Sequence, residues 1–280
     1  MKSMPLCTTE KMLKDAQIAG VAIGAFNIEN MEMAQAVIEA AEEMGCPVIL
    51  QTTSGTAKYA PLTIITAMVT AIAKKVNIPV ALHLDHSGET LALEALESGY
   101  TSVMYDGSKE TFEENIRITK SVVEAAKKRS IPVEAELGSI GGKEDDIEAE
   151  IEYTDPKMAA EFVMKTGVQS LAVAIGTAHG VYKTTPKLDV ERLKEIRKLV
   201  DIPLVLHGGS GLSTHDLQNC IRAGISKVNF GTDLRIAYTE GLKEYMCENP
   251  KKVDPRTYGL AAREKVKAIT LEKLAIIFPR

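Results

Sequence analysis

Short apolar runs alternate with longer amphipathic runs along most of the chain. Segments such as PVALHLDH and SLAVAIG are rich in Val, Ile, Leu and Ala without strict alternation, which is typical of parallel strands covered on both faces. Each strand-like run precedes a stretch with helical periodicity, as VAIGAFNI precedes MEMAQAVIEAAEEMG. Eight such units predict an α/β fold, a (β/α)8 TIM barrel, with an extra N-terminal helix and a C-terminal helical tail from Asp254 onward.

Composition and charge narrow the class of protein further. The chain has no linker or low-complexity tract, so we expect residues 1–280 to form a single TIM-barrel domain. A net charge of −5 offers no electrostatic footprint for nucleic acid or an anionic membrane. No run has the length of a membrane-spanning helix or the form of a signal peptide, and the four cysteines lack disulfide or metal spacing. These features favour a cytoplasmic protein without nucleic-acid or membrane partners.

Polar residues gather where the predicted strands end, which is the rim that carries the chemistry of TIM barrels. His86, His179 and His207 each follow a strand-like run. A single histidine in such a position is more often structural, but three imidazoles on one rim make a three-nitrogen site with room for a substrate oxygen. That pattern is typical of a catalytic divalent metal, usually zinc. The other polar residues at predicted strand ends are Asn27, Asp85, Asp106, Glu136 and Asn229.

Glycine-rich turns follow the last two predicted strands. HGGSG and NFGT place flexible backbone and hydroxyls where TIM barrels commonly hold a phosphate, and backbone N–H groups there bind anions without basic side chains. Lys183, four residues past His179, adds a charge that favours the same ligand. The loop GGKEDDIEAEIEYTD is long and acidic, and its composition fits a solvated loop as well as a lid. A hinge at Gly141 and Gly142 would allow Glu144 to move.

The motifs resemble those of a known family. LHLDH, VMYDGS, EAELGSIGGKEDD, LAVAIGTAHGVY, LVLHGGSGL and KVNFGTDLR are similar, in this order, to the motifs of the zinc-dependent class II ketose-bisphosphate aldolases. The resemblance runs from AFNIEN to DPRTYG and implies a lyase that holds zinc with His86, His179 and His207. It implies that Asp85 is the acid/base at the hydroxyl oxygen of the cleaved bond. Glu144 would move the proton on dihydroxyacetone phosphate.

The resemblance also implies the remaining parts of the site. Asp106 and Glu136 match positions that hold a second or displaced metal. Enzymes of this kind are usually homodimers or homotetramers and are often stimulated by a monovalent cation, which is a second cofactor to expect. The residues that match substrate-binding segments are Asn27, Gly180, Lys183, Gly208, Gly209, Ser210, Asn229, Phe230, Gly231 and Thr232.

The expected reaction is the reversible cleavage of a ketose 1,6-bisphosphate to dihydroxyacetone phosphate and glyceraldehyde 3-phosphate, as in glycolysis. Breaking a C–C bond beside a ketone needs an electron sink, which either a metal or a lysine Schiff base supplies. The run LAVAIG carries no lysine, and Lys227 is predicted to precede its strand, at the wrong end of the barrel. The metal route is therefore favoured.

The motifs do not decide which of two sugar bisphosphates is the substrate. Gly209 favours fructose 1,6-bisphosphate, because tagatose-type sequences tend to have Ala there. Gly231 and Thr53 depart from the fructose pattern and keep tagatose 1,6-bisphosphate open. The motifs do not identify the residue that binds the second phosphate of the substrate, at the end away from the glycine-rich turns. Arg263 in the tail is a candidate. Two other classes remain as alternatives: a metal-dependent hydrolase, and a non-catalytic barrel subunit that supports a true aldolase.

Overall fold

The strands and helices follow the order that the sequence predicts. The computed structural model describes residues 6–144, 147–149, 151–182 and 184–279, and for residues 143, 144 and 147–149 it describes the backbone only. The strands are β1 (Ile23–Asn27), β2 (Val48–Thr52), β3 (Val80–Leu84), β4 (Ser102–Tyr105), β5 (Val133–Leu137), β6 (Gly141–Glu144), β7 (Ile147–Ala149), β8 (Ser170–Val173), β9 (Ala178–His179), β10 (Leu204–Leu206) and β11 (Ile225–Phe230). The helices are α1 (Thr9–Ala19), α2 (Met31–Met44), α3 (Ser54–Tyr59), α4 (Leu62–Ala73), α5 (Glu89–Glu97), α6 (Phe112–Lys127), α7 (Pro156–Thr166), α8 (Val190–Leu199), α9 (Thr214–Arg222), α10 (Thr232–Glu248) and α11 (Pro255–Ile277).

Eight of the strands close into a parallel barrel in the order β1, β11, β10, β8, β5, β4, β3, β2. Every residue of these strands is buried, because the barrel interior covers one face and the helices cover the other. This burial explains why the strand segments are continuous apolar runs rather than alternating ones. The closed sheet confirms the predicted (β/α)8 barrel, and α11 confirms the helical tail.

Local sequence signals set the helix boundaries. The side chain of Asn30 accepts a hydrogen bond from the backbone of Met33 at the start of α2, and Asp155 caps α7 ahead of Pro156. Gly45 ends α2 in the left-handed conformation that favours glycine. Each helix returns the chain to the start of the next strand, so the ends of all eight barrel strands lie on one rim. Within the described ranges, no helix combines the length and apolar character that crossing a bilayer requires.

Helix α1 closes the end of the barrel opposite the rim. Its apolar side chains Met12, Leu13 and Ala16 cluster with Ile23 at the start of β1 and with Ile49 in β2. The backbone N–H just before the helix, at residue 7, bonds to the carbonyl at the first residue of β3. The lower end of the barrel is therefore apolar and covered, while the polar strand residues lie toward the rim.

A second, smaller sheet forms from the long acidic loop. The loop makes an antiparallel hairpin of β6 and β7, and β9 pairs in parallel with β6 so that Gly142 lies opposite His179. His179 therefore does not end the sixth barrel strand, β8, which stops at Val173. That part of the sequence prediction was wrong, because the chain leaves the barrel after AVAI and the histidine is delivered by a separate strand.

Candidate active site

Three histidines meet at the rim. His86 follows β3, His207 follows β10, and His179 lies on β9. The ring centroid of His86 is 4.9 Å from that of His179 and 4.5 Å from that of His207. One nitrogen from each ring lies within 4.8 Å of the other two, so the three rings are close enough to share one metal ion. The structure brings together three residues that are 93 and 28 positions apart along the chain.

The backbone at His86 lets two consecutive residues face the site. Consecutive side chains of a strand point to opposite faces, but His86 has a φ of 39°, in the left-handed region that non-glycine residues rarely adopt. Its Nδ1 lies 2.7 Å from Oδ2 of Asp106, and the other carboxylate oxygen, Oδ1, accepts a hydrogen bond from the backbone N–H of Ser108. With Nδ1 donating to Asp106, Nε2 of His86 is the nitrogen that can bind a metal.

His207 is held from inside the barrel. Its Nε2 lies 3.0 Å from Oε1 of Glu134, and Lys227 donates to both oxygens of Glu134 at 3.0 and 2.8 Å. The side chains of His207 and Lys227 are 0% exposed and that of Glu134 is 1% exposed. Burial would raise the pKa of Glu134, but the Lys227 charge and the hydrogen bond with His207 act together with the neighbouring histidines and hold this pKa below its usual range. The result is an ionised carboxylate beneath the histidine.

The position of Lys227 corrects the sequence prediction. The residue does not precede its strand but is the third residue of β11, inside the barrel. The error arose because the strand begins at Ile225 in the weakly apolar segment ISK. The ammonium is nevertheless buried and paired with Glu134. This burial and ion pair, rather than the place of Lys227 along the strand, disfavour a Schiff base at this lysine.

His179 is held from outside the barrel. Its strand β9 passes between two glycines with positive φ, Gly142 at 88° and Gly208 at 67°. A Cβ at Gly142 would collide with the carbonyl of His179, and one at Gly208 would lie 2.5 Å from the carbonyl oxygen of Ala178. The hydroxyl of Tyr182 accepts from the backbone N–H of Ala178 at 3.0 Å and donates to the carbonyl of Gly208 at 2.8 Å. Gly142 and Gly208 permit close backbone packing against β9. Gly142 is also one of the two glycines at which the sequence predicts a hinge, and that hinge stays a prediction.

Two carboxylates beside the histidines have pKa values displaced in opposite directions. Burial raises the pKa of Glu136, and the neighbouring Asp106 adds to that rise. Burial would also raise the pKa of Asp106, but the hydrogen bond and charge of His86, together with the hydrogen bonds from Ser108, hold the value below the usual range. Burial and His86 would lower the pKa of His207, whereas its contacts with Glu134 and Glu136 raise it to about 9. A metal bound at His207 must replace a proton.

The donor atoms at this place fit a divalent metal. Nδ1 of His207 and Oε2 of Glu136 are buried 3.3 Å apart, and neither makes a hydrogen bond within the described part of the chain. Buried polar atoms normally find partners, so this pair is most simply explained as ligands or near neighbours of a cation. Imidazole and carboxylate donors suit zinc and similar metals. His86, Asp106 and Glu136 form a second group with donor atoms within 4.8 Å of one another.

Asp85 lies one residue before His86 and is 1% exposed. Nε2 of Gln51 donates to its Oδ2 at 2.9 Å, and Nδ2 of Asn229 donates to its Oδ1 at 3.1 Å. Gln51 also donates to Oδ1 of Asn27 at 2.8 Å. The two amides donate to both oxygens and so fix the plane of the carboxylate. Asp85 is therefore held in one orientation next to His86.

A small polar cavity adjoins His179. The hydroxyl of Ser210 accepts hydrogen bonds from the backbone N–H groups of Gly231 and Asp233, both at 3.2 Å, at the start of α10. The N-terminus of α10 favours an anion, and the Arg235 guanidinium, which is paired with Glu29, also lines the cavity. The cavity therefore fits a phosphate group. Its lining residues are Asn27, His179, Gly180, Gly208, Ser210, Asn229, Gly231, Thr232 and Arg235.

A larger cavity of about 250 Å³ opens on the other side of the histidines. Because His179 lines both cavities, one extended ligand can reach from the small polar cavity across the histidines into the larger one. The residues that line the larger cavity are Ser54, His86, Ser87, Gly88, Asp106, Ser108, Lys109, Glu110, Glu136, Ser139, Ile140, Gly142 and His179.

Comparisons with known proteins agree with this geometry. A family model described as fructose-bisphosphate aldolase class-II matches residues 7–278. The chain belongs to this family. Its members are aldolases, and therefore lyases, and are generally metal-dependent, which agrees with the grouped histidines and carboxylates.

Three solved structures of aldolases or a putative aldolase resemble the chain over nearly its whole length. The YdjI aldolase from Escherichia coli K12 is 37% identical with a TM-score of 0.86, covering 98% of this chain and 97% of that one. A putative fructose-1,6-biphosphate aldolase from Coccidioides immitis is 29% identical with a TM-score of 0.88, covering 95% and 94%. The fructose-bisphosphate aldolase from Campylobacter jejuni is 26% identical with a TM-score of 0.83, covering 98% and 95%.

Not every candidate residue of this member of the class II aldolase family lies in the cavities. The ring of Phe230 stacks on Phe26 in the core, with centroids 5.4 Å apart, so only its backbone is near the site. Gly209 lets the backbone approach the end of β11, where its N–H bonds to the carbonyl of Asn229. Arg263 is bonded to Gln35 and Glu39 on α2. Lys183 and the side chain of Glu144 lie outside the described residues.

Gln51, Arg235 and a lower layer of polar residues inside the barrel were not among the predicted site residues. Residues two apart on a strand share a face, so polar pairs at i and i+2 lie one above the other in the interior. The upper members of these pairs were recognised at the strand ends, and the same spacing was the signal for the lower ones. The pairs are His83 with Asp85, Glu134 with Glu136, and Lys227 with Asn229.

Proposed function

We propose that this protein reversibly cleaves a ketose 1,6-bisphosphate, with fructose 1,6-bisphosphate favoured, to dihydroxyacetone phosphate and glyceraldehyde 3-phosphate. The observation that carries the proposal is the convergence of His86, His179 and His207 beside Asp85, between a phosphate-sized cavity and a larger one. Such a site combines a metal, a buried base and an anchor for an extended anionic substrate, which aldol cleavage requires together.

Zinc is the metal that we propose for His86, His179 and His207. Three imidazole ligands with space for a substrate oxygen are typical of catalytic zinc, and Asp106 and Glu136 offer positions for a second or displaced ion. When bound, the metal supplies the positive charge that stabilises the negative charge left on the substrate when the C–C bond breaks. The donor set supports a metal-dependent route.

Asp85 is the group that we assign to proton transfer at the hydroxyl oxygen next to the cleaved bond. In the cleavage direction its carboxylate takes the hydroxyl proton, and in condensation it returns the proton to the new oxygen. The amides of Gln51 and Asn229 hold the carboxylate in one orientation, which reduces the reorganisation that proton transfer needs.

Glu144 is the group that we assign to the carbon-bound proton of dihydroxyacetone phosphate. The backbone of β6 carries it two residues beyond Gly142, which lies opposite His179 in the small sheet. The phosphate of this half of the substrate would occupy the polar cavity near Ser210 and Gly231, and the larger cavity would hold the aldehyde half.

The test is direct detection of dihydroxyacetone phosphate from fructose 1,6-bisphosphate and tagatose 1,6-bisphosphate, with and without a chelator. We expect cleavage that a chelator abolishes and Zn²⁺ restores, faster with the fructose compound. Borohydride added with substrate should leave the enzyme active, because no Schiff base forms. Full activity in a verified metal-free preparation contradicts the proposal. Phosphate release without C–C cleavage would instead identify a hydrolase, and no turnover of either sugar would favour a non-catalytic subunit.

A further inference from the structure

A chain of buried polar side chains runs through the inside of the barrel from its closed end to the histidines. Its members are at most 3% exposed, and none of them lines either cavity described above. Successive polar atoms are 3.0, 2.8, 3.5, 2.8 and 3.0 Å apart. In order from the closed end, the side chains are Thr9, Ser102, His83, Lys227, Glu134 and His207.

Stability alone does not explain the ion pair in the middle of this chain. Removing a charged group from water costs roughly several kcal/mol for each ion. A protein with well-packed apolar side chains of similar volume in place of a buried ion pair is often equally stable or more stable. Lys227 and Glu134 are nevertheless placed in the barrel interior, where apolar residues would fill the same space. A contact that such apolar residues could not make is the one between Glu134 and Nε2 of His207.

That contact decides which nitrogen of His207 carries its hydrogen. An ionised carboxylate only accepts hydrogen bonds, so opposite Glu134 the neutral ring keeps its hydrogen on Nε2, and Nδ1 is the nitrogen that carries the lone pair once its proton is displaced. Without Glu134, the hydrogen could move to Nδ1 and be shared with Oε2 of Glu136, which lies 3.3 Å away on the other side of the ring. His207 would then present a donor where a metal ligand is needed.

We propose that Glu134 and Lys227 are positioning residues that select Nδ1 of His207 as the metal-binding nitrogen. This inference rests on the metal site of the proposed function. Glu134 sets the tautomer and the orientation of the ring, and Lys227, by donating to both carboxylate oxygens, fixes the carboxylate and balances its charge. His207 thereby differs from His86, whose Nδ1 is held by Asp106 so that the opposite nitrogen, Nε2, can bind the metal.

The experiment measures Co²⁺ binding to the full chain, by chelator competition and by the visible absorption of the bound ion. Glu134→Gln introduces an amide that can donate to Nε2, and Lys227→Met removes the balancing charge. We expect both to weaken Co²⁺ binding by about 10–100-fold and to alter the absorption spectrum, because outer partners of ligating histidines have effects of this size. The double variant Glu134→Leu/Lys227→Met leaves no unpaired buried charge, so it tests the same point if the single variants do not fold.

The matched control is Lys273→Met. Lys273 is another buried lysine, with a side chain 8% exposed and its ammonium 2.9 Å from the carboxylate of Asp233. It is not part of the series of polar side chains that runs from Thr9 to His207. We expect its loss to leave Co²⁺ affinity and the spectrum unchanged. Wild-type affinity and spectrum in the double variant would overturn the positioning role while leaving the metal site intact. If the wild-type protein itself bound no Co²⁺ or Zn²⁺, the proposed function and this inference would both fail.

Discussion

His207 and His179 contribute to the same group of nitrogens but are supported by different parts of the molecule. His207 is supported by a buried ion pair within the barrel, whose neighbouring strands restrict every member. His179 lies on β9 of the small sheet formed by β6, β7 and β9, which we call the hairpin sheet. Two glycines and the hydroxyl of Tyr182 hold this strand at the rim. The first support is electrostatic and inside the barrel, and the second is close backbone packing outside it.

The site therefore joins two structural units that support different residues. The barrel carries Asp85 together with His207, and the hairpin sheet carries Glu144 together with His179. In the proposed reaction, C–C bond cleavage depends on the barrel side and proton exchange at carbon depends on the hairpin side. Substitutions on either side should therefore damage different steps.

Asp85→Ala should have the largest effect on the barrel side. Loss of the acid/base should lower the rate of C–C cleavage by about 10²–10⁴-fold. The variant should still exchange a carbon-bound proton of dihydroxyacetone phosphate with solvent, because that step is assigned to the hairpin side. Cleavage is measured by product detection and exchange by NMR in ²H₂O. Cleavage at close to the wild-type rate would refute the role of Asp85.

Glu144→Ala should show the opposite selectivity. Proton exchange into dihydroxyacetone phosphate should fall by about 10²–10⁴-fold, since the residue that moves the proton is missing. Metal content should stay at the wild-type level, because Glu144 is not among the proposed ligands. Normal exchange in this variant would show that another group performs the step and that the two duties are not divided as proposed.

Gly142→Ala should weaken metal binding by displacing His179. The new Cβ would collide with the carbonyl of His179, so β9 must shift and carry this histidine away from the other two. A shift of about 1 Å at a site of this kind can also lower the reaction rate by about 10²-fold. Gly20→Ala is the matched control, because Gly20 also has a positive φ, 68°, but nothing lies within 4 Å of its Cβ position.

The control should lose about 1–2 kcal/mol of stability from backbone strain and keep its metal affinity. Metal affinity is measured by chelator competition and stability by urea unfolding. Equal metal affinity in the two variants would show that the close packing at Gly142 does not position the histidine.

Tyr182→Phe should have the smallest effect. It removes the hydroxyl that links Ala178 to Gly208, and two hydrogen bonds of this kind contribute about 0.5–1.5 kcal/mol each. Because the glycine contacts remain, we expect metal affinity to fall by less than in Gly142→Ala. Chelator competition on both variants gives the comparison, and a larger loss in Tyr182→Phe would reverse the order of importance proposed for the hairpin side.

Much of the fold could be predicted because burial on both faces leaves a continuous apolar run, and eight such runs with helices between them have few arrangements. The residues at the rim could be predicted for a related reason, since the ends of parallel strands meet. His179 was assigned to the wrong strand because local pattern does not show where a chain leaves a barrel. The pairing of β6 with β9 depends on contacts between distant segments, which periodicity does not report.

The lower polar layer was missed for a different reason. Lys227 and Glu134 resemble ordinary charged residues until both are placed in the same interior, where each explains the burial of the other. Gln51 likewise gained meaning only when Asp85 was found beside it. The contact between two residues that are far apart in sequence cannot be inferred from either segment alone. Each strand does show a lower polar residue two positions before the upper one, and that spacing was the available signal.

The closure of the barrel by its first and last strands has a consequence for synthesis on the ribosome. β1 pairs with β11, and α1 clusters with residues of the first strands at the closed end. β11 supplies both Lys227 and Asn229, so Glu134 and Asp85 lack these partners until residues beyond 225 have left the ribosome. The nascent chain therefore carries both carboxylates without these partners until the last barrel strand has emerged, and the surroundings of the metal-binding residues are completed only then.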